Sequence, residues 1–226
     1  MIRALVALAA LAAVLALLVG RGAVAGVPTE QLHGSIDLVL KIVTDPELKK
    51  EARTAERRRR IRAVVNEIFD FTEISQRSLG RHWQARTPVE REQFVALFGD
   101  LLENAYITKI ESYSGEKIQY PGDVIDGDLA LVKTRIVTKQ ETEIPVDYRM
   151  FLNGGRWAVY DVSIEGISLI GNYRTQFNAV IQRSGYPDLV AKLKAKQDER
   201  PGAREAGRPE PIVPTVAPVT HTRQSP

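Results

Sequence analysis

The stretch that decides the fold is Glu143-Ile144-Pro145-Val146-Asp147-Tyr148-Arg149-Met150-Phe151-Leu152, followed by Asn153-Gly154-Gly155 and then Arg156-Trp157-Ala158-Val159-Tyr160-Asp161-Val162-Ser163-Ile164. Ile144, Val146, Tyr148, Met150 and Leu152 alternate with Asp147 and Arg149, the period-two pattern of a strand with one buried face. Asn and Gly tolerate the positive φ of a tight reversal, so the two runs predict an antiparallel hairpin. Just upstream, Asp128 to Lys139 sets Ala130, Val132, Thr134 and Ile136 on one side and Lys133, Arg135 and Lys139 on the other. Lys117 to Tyr120 is a short strand candidate before it. These segments predict an antiparallel meander with one apolar face.

An apolar sheet face needs a cover, and the flanking sequence supplies helices. Thr87-Pro88-Val89-Glu90 reads as a capping box with Pro at the first helical position. The helix it opens carries Phe94, Leu97, Phe98, Leu101, Leu102, Ala105, Tyr106 and Ile110. Pro28 to Val43 repeats Leu32, Ile36, Val39, Leu40 and Val43 at helical spacing. Asp45-Pro46 should end that helix, with Pro46 starting the next, which continues through Arg57-Arg58-Arg59-Arg60 to Ile61, Val64, Val65, Ile68 and Phe69. Asp70 to Gly80 predicts a short helix. After the meander, Ile167 to Arg183 resumes helix through Leu169, Ile170, Tyr173, Phe177, Val180 and Ile181. Tyr186-Pro187-Asp188 should break it, with a last helix from Leu189 to about Arg200. The expected fold class is α+β over residues 26–200, with helices packed on one face of a small antiparallel sheet.

The two ends of the chain read differently. Met1-Ile2-Arg3 is a short basic start, Ala4 to Val19 is an unbroken run of Ala, Leu and Val, and Ala23-Val24-Ala25 has the small-x-small form of a signal-peptidase site. The run is short of the roughly 20 apolar residues a membrane span needs. Residues 1–25 are therefore expected to be a signal peptide cleaved after Ala25. Residues 201–226 hold six prolines and few large apolar groups, so a disordered tail is expected there.

Composition excludes several chemistries. The 226 residues carry a net charge of +3 and no Cys. Loss of residues 1–25 would remove two of the 31 basic residues and none of the 28 acidic ones, leaving +1. That balance gives no footing for nucleic acid. Without Cys there is no disulfide, no thiol nucleophile and no Cys–zinc site. His33, His82 and His221 have no metal-ligand spacing, and no nucleophile-elbow Ser occurs. Asp161 and Glu165 are close in sequence, but nothing sets their separation, so structural or solvated roles suit them better. Gly154-Gly155 is a turn without the Lys-bearing helix of a phosphate loop. The Arg57 to Arg60 run could meet phosphates or an anionic membrane surface. With Glu51 and Glu56 nearby, it fits the solvated face of a helix better. No catalytic residue, metal ligand or cofactor site is expected.

Three ordered stretches carry a resemblance. The first is Phe69-Asp70-Phe71-Thr72 through Leu79-Gly80-Arg81-His82-Trp83 into Thr87-Pro88-Val89-Glu90-Arg91-Glu92-Gln93-Phe94 and Phe98. The second is Leu101 to Tyr113 with Tyr106, closing on Ser114-Gly115. The third is Val146 to Met150, Gly155 to Val162, Glu165-Gly166-Ile167-Ser168-Leu169, and Asn172-Tyr173-Arg174 with Phe177. Over about residues 30–197 the chain resembles the MlaC (toluene-tolerance) family of periplasmic phospholipid-binding proteins. The Arg run and the Pro-rich tail are not features of that resemblance.

The resemblance implies a monomeric periplasmic carrier with an apolar cavity between helices and sheet. It implies passage of phospholipid between an inner-membrane ABC transporter complex and an outer-membrane lipoprotein–porin complex, serving outer-membrane lipid asymmetry. A related group is associated with hopanoids, which leaves the lipid open. On face assignment, Phe94, Leu97, Phe98, Leu101 and Tyr106 should oppose Val132, Ile136, Val146, Tyr148 and Met150. Val162, Ile164, Ile167, Leu169, Tyr173 and Phe177 should close the other wall. Taken one at a time, these positions are equally those of a plain core. Arg149 and Arg174 are head-group candidates, since guanidinium meets phosphate in a bidentate fork. The alternatives are an exported protein-interaction module using the same face, and an enzyme acting on lipids.

Overall fold

The computed structural model describes residues 27–198. The expected signal peptide and Pro-rich tail lie outside the described residues. Helix α1 spans Pro28–Thr44 and stops at Asp45, whose carboxylate accepts the N–H groups of Glu47 at 2.8 Å and Leu48 at 3.3 Å. That local capture corrects the expectation at Pro46. Residues 46–49 only turn, and extended backbone at Lys50 leads into a single 3-10 turn, Glu51–Arg53. Helix α2, Thr54–Ile68, starts after it. Asp70 then accepts the Glu73 N–H at 2.9 Å and caps α3, Phe71–Leu79.

Helix α4, Pro88–Glu111, is the longest element among the described residues. Its capping box forms as the sequence predicts: Thr87 Oγ1 accepts the Glu90 N–H at 3.2 Å, and Glu90 accepts the Thr87 N–H at 2.8 Å.

The sheet is a five-stranded antiparallel meander in order β1-β2-β3-β4-β5. Strand β1 is Lys117–Asp126, longer than the expected Lys117 to Tyr120. Tyr120 and Pro121 are absorbed as an irregularity between Gln119 and Gly122. An edge strand tolerates a Pro that donates no ladder bond. Strands β2 (Leu129–Val137) and β3 (Glu143–Asn153) follow the predicted alternation, and β4 (Arg156–Ile164) forms where a further strand is expected, with Trp157, Ala158 and Val159 buried in succession. A bulge interrupts β4: Arg149 pairs with Asp161 but Met150 with Val159, so Tyr160 is the extra residue.

Ile167 does not open a helix. It pairs with Ile164 in a two-residue strand β5, Ile167–Ser168, after a Glu165-Gly166 reversal with both φ values positive. Ser168 then caps α5, Leu169–Ser184, through the Gly171 N–H at 2.9 Å. The following break falls at Gly185, φ +83°, and α6 begins at once as Tyr186–Asp198, earlier than the expected Leu189.

Two apolar bodies hold these elements. The helical one packs Phe94, Phe98, Tyr173 and Phe177 against Ile74, Trp83, Leu189 and Leu193. The other lays Leu32 of α1 and Ile68 of α2 on Ala130, Val132, Met150, Trp157 and Val159 of the sheet. A small cluster of Val43, Ile61 and Ile107 joins α1, α2 and α4 at the far end.

Candidate functional site

Between these bodies the apolar surfaces do not close. A cavity of about 780 Å³ lies there, within the size range of ligand sites. Its floor is the sheet: Ile118, Ile136, Val146, Tyr148, Val162 and Ile164. Helix α1 contributes Ile36, Val39 and Leu40, α2 contributes Ile61, Val64 and Val65, and α4 contributes Val95, Leu102, Tyr106, Ile107 and Ile110. Leu169 and Ile170 close the end near α5.

The register explains the floor. Ile118 and Ile144 flank Ile136, Val146 opposes Ile164, and Tyr148 opposes Val162, so one apolar row crosses four strands. Burial pushes the Tyr148 hydroxyl up to about 12 and raises Tyr106 as well, so both phenols stay neutral at physiological pH.

The wall decides what such a space suits. The cavity is partly open, so water can enter it, but a lining rich in Ile, Val and Leu offers water few hydrogen-bond partners. An apolar ligand there would take that surface out of water, a gain of about 25 cal/mol per Å².

Helices α2 and α4 both line the cavity and meet at a seam. Side chains rather than close backbone packing tie these helices together. Arg57 and Arg58 both reach Glu111, at 2.7 and 2.8 Å, and Arg62 reaches Glu103 at 2.6 Å. Arg57, 13% exposed, also donates to the Leu48 carbonyl at 2.6 Å. Burial works to raise the Glu111 carboxyl, but hydrogen bonds from Arg58 and Arg57 outweigh it and hold the group below the usual carboxylate range. The Arg run thus divides. Arg57 and Arg58 turn in to this seam, while Arg60 pairs with Glu56 at 2.5 Å in the open. The reading as a wholly solvated face is corrected.

The residues expected to line a site fall into two groups. Tyr106, Ile136, Val146, Tyr148, Val162, Ile164 and Leu169 stand on the cavity wall. Phe94, Leu97, Phe98, Leu101, Tyr173 and Phe177 do not oppose the sheet. They form the solid helical body, with the Phe98 ring 5.0 Å from Tyr173 and 5.1 Å from Phe177. Val132 and Met150 are sealed beneath α1 and α2, and Ile167 is 53% exposed on β5. Sequence reasoning did not assign Ile36, Val39, Leu40, Ile61 or Val65 to the wall. The available signal was the apolar stripe of α2, which needs a partner in an otherwise highly charged helix.

Arg149 and Arg174 do not line this cavity. They border a second pocket of about 320 Å³ together with Arg77, Tyr160, Ser168 and Gly171. Asp161 and Ile170 border both spaces, so the two adjoin. Asp161 is a structural carboxylate, accepting the Ser168 hydroxyl at 2.6 Å and the Ile170 N–H at 3.0 Å. His33 stacks on Tyr120 at 4.3 Å, and His82 shares a 3.0 Å hydrogen bond with Asn178. Among the described residues no group of three or more His, Asp or Glu side chains is arranged to hold a metal.

Known proteins agree with this architecture. The family model for the MlaC protein matches residues 34–195. The intermembrane phospholipid transport system binding protein MlaC of Haemophilus influenzae is 24% identical over 143 residues, covering 59% of this chain and 67% of that one. The toluene tolerance protein ttg2D of Pseudomonas putida is 26% identical over 149 residues, covering 61% and 69%. A phospholipid-binding protein from Ralstonia solanacearum, solved in complex with a phospholipid, shares the fold. Its TM-score is 0.66 at 24% identity, covering 76% of this chain and 97% of that one. The match over residues 34–195, on a helix-covered antiparallel meander, makes the chain a member of the MlaC protein family.

Proposed function

We propose that this chain is a periplasmic carrier that holds a phospholipid, acyl chains inside the cavity and head group toward solvent. The observation that carries the reading is the apolar cavity of about 780 Å³ between α1, α2, α4 and the sheet. Membership of the MlaC family supports it, as do relatives named for phospholipid transport and toluene tolerance. The Ralstonia solanacearum protein of this fold binds a phospholipid.

Physical chemistry explains the need for such a protein. Burying a methylene contributes about 0.8 kcal/mol, so two long acyl chains resist entry into water by on the order of 20 kcal/mol. Free diffusion between membranes is negligible. A cavity wall of Ile, Val and Leu replaces bilayer hydrocarbon with protein hydrocarbon, and exchange becomes nearly neutral. The task needs an apolar space, a seam that can part and docking surfaces for membrane partners. No bond is made or broken, so no catalytic group is required.

The partners proposed are an inner-membrane ABC transporter complex on one side and an outer-membrane lipoprotein–porin complex on the other. The carrier acts between them as a monomer after export and cleavage following Ala25. Incubating delipidated protein with vesicles that contain labelled phospholipid, then separating the two, tests the reading. The protein fraction should carry label near one lipid per chain. Protein that stays unlabelled after every donor composition contradicts it.

A further inference from the structure

The smaller pocket shares Asp161 and Ile170 with the cavity and gathers basic residues that the cavity lacks. Three arginines from three different elements border it: Arg77 of α3, Arg149 of β3 and Arg174 of α5. Two of them are held in place by their neighbours. Arg77 is fixed by Glu73 at 2.7 Å, and its guanidinium carbon lies 3.9 Å from the centre of the Tyr160 ring. Tyr160 is the extra residue of the β4 bulge, and bulges re-aim side chains. The stem of Arg174 lies over Gly80, where an added Cβ would stand 3.4 Å from its Cδ. Gly80 itself has φ +52° and ψ −126°, a conformation that favours glycine.

The charges do not cancel. Asp161 is the carboxylate bordering the pocket, and its oxygens already accept the Ser168 hydroxyl and the Ile170 N–H. Arg149 stands 3.8 Å from it, an ion-pair distance rather than a hydrogen bond. Among the described residues, no carboxylate pairs with Arg174. With Glu73 counted against Arg77, the pocket keeps an excess positive charge. The arginines come from three elements around a space of about 320 Å³. Guanidinium forks match the oxygen spacing of phosphate.

We propose that Arg77, Arg149 and Arg174 form an oxyanion site that takes a phosphate group presented from outside the cargo cavity. The phosphate is either a free phosphate or the head group of a lipid at a membrane surface. The site goes beyond the carrier reading, since none of the three arginines lines the cargo cavity.

The test uses the full exported chain and the double variants R149A/R174A and R149K/R174K. Both side chains reach solvent, and circular dichroism confirms that the variants are folded. One arm titrates inorganic phosphate by calorimetry. The other measures co-sedimentation with vesicles of phosphatidylglycerol against vesicles of phosphatidylcholine. Wild type should bind at least one of phosphate and phosphatidylglycerol vesicles. R149A/R174A should weaken that binding at least tenfold, and R149K/R174K should not restore it, because Lys keeps the charge but loses the fork. Phosphate binding without vesicle binding assigns the free ion, and vesicle binding assigns the head group. Equal behaviour of wild type and R149A/R174A in both arms overturns the site, as does binding of an acidic peptide with neither phosphate probe bound. Native mass spectrometry of the same samples reads cargo separately, so loss of lipid and loss of phosphate binding are distinguishable.

Discussion

Ile164 offers a direct way to set the cargo against the protein. It lines the cavity, pairs with Val146 on the sheet floor and is only partly buried. The cations bordering the cavity, Arg62 and Lys109, come from the helices rather than the sheet. In an emptied cavity, the carboxylate of Ile164→Asp meets water and titrates near an ordinary Asp, about 3.9. When an acyl chain covers it, the charged form has neither water nor a partner and the group must take up a proton. Raising a pKa from 3.9 to at least 7 costs about 4 kcal/mol at pH 7, a weakening of lipid binding by about 10³. The penalty should fall about tenfold per pH unit and nearly vanish at pH 4. Ile164→Asn, the same shape without the titration, should bind weakly but with no such slope. Displacement of a fluorescent acyl probe from pH 4 to pH 8 measures both. A folded Ile164→Asp protein that binds as wild type does at pH 7, or a deficit independent of pH, refutes the reasoning.

Other expectations follow from the same geometry. Phe98→Ala should cost about 3–5 kcal/mol in urea unfolding because Phe98 fills a solid body, while Ile36→Ala on the cavity wall should cost far less; equal costs would erase the distinction between core and cavity. Glu111→Ala leaves Arg57 and Arg58 partly buried without their partner and should cost about 3 kcal/mol at pH 7. Because the folded Glu111 carboxyl sits below its ordinary value, that contribution is full above the unfolded pKa. It is lost as pH falls through the folded pKa, so the gap to wild type should narrow below about pH 4. Arg62→Glu should repel Glu103, loosen the α2–α4 seam and speed lipid release up to about fivefold, since a half-exposed pair is worth no more than about 1 kcal/mol. Restoration by the swapped pair R62E/E103R, read in stopped-flow exchange, separates seam opening from general damage.

The local rules were legible wherever one turn or one period decided the outcome. The capping box at Thr87, the Asn153-Gly154-Gly155 reversal and the alternation along β3 all formed where the residues predict them. Boundaries moved where a neighbour intervened: the Asp45 carboxylate held Pro46 in a turn, and the Glu165-Gly166 reversal drew Ile167 into the sheet. The site was only half legible, and α4 shows why. Phe94, Phe98 and Tyr106 belong to one apolar stripe along 24 residues. Phe94 and Phe98 meet α5 and α6 in a solid body, while Val95, Leu102 and Tyr106 of the same helix face the cavity. Periodicity reports which side of a helix is apolar and says nothing of whether a partner arrives to cover it. The same holds for Arg149 and Arg174, whose chemistry was plain but whose placement depends on the Tyr160 bulge and on Gly80.

The central claim is that the gap between helices and sheet shelters acyl chains. Native mass spectrometry of the chain, purified from a periplasmic extract without detergent, tests it most directly. The expected main species is heavier than the polypeptide by one phospholipid, released as lipid on collisional activation. A main species at the bare polypeptide mass, with no lipid in the solvent extract of the same sample, would contradict it.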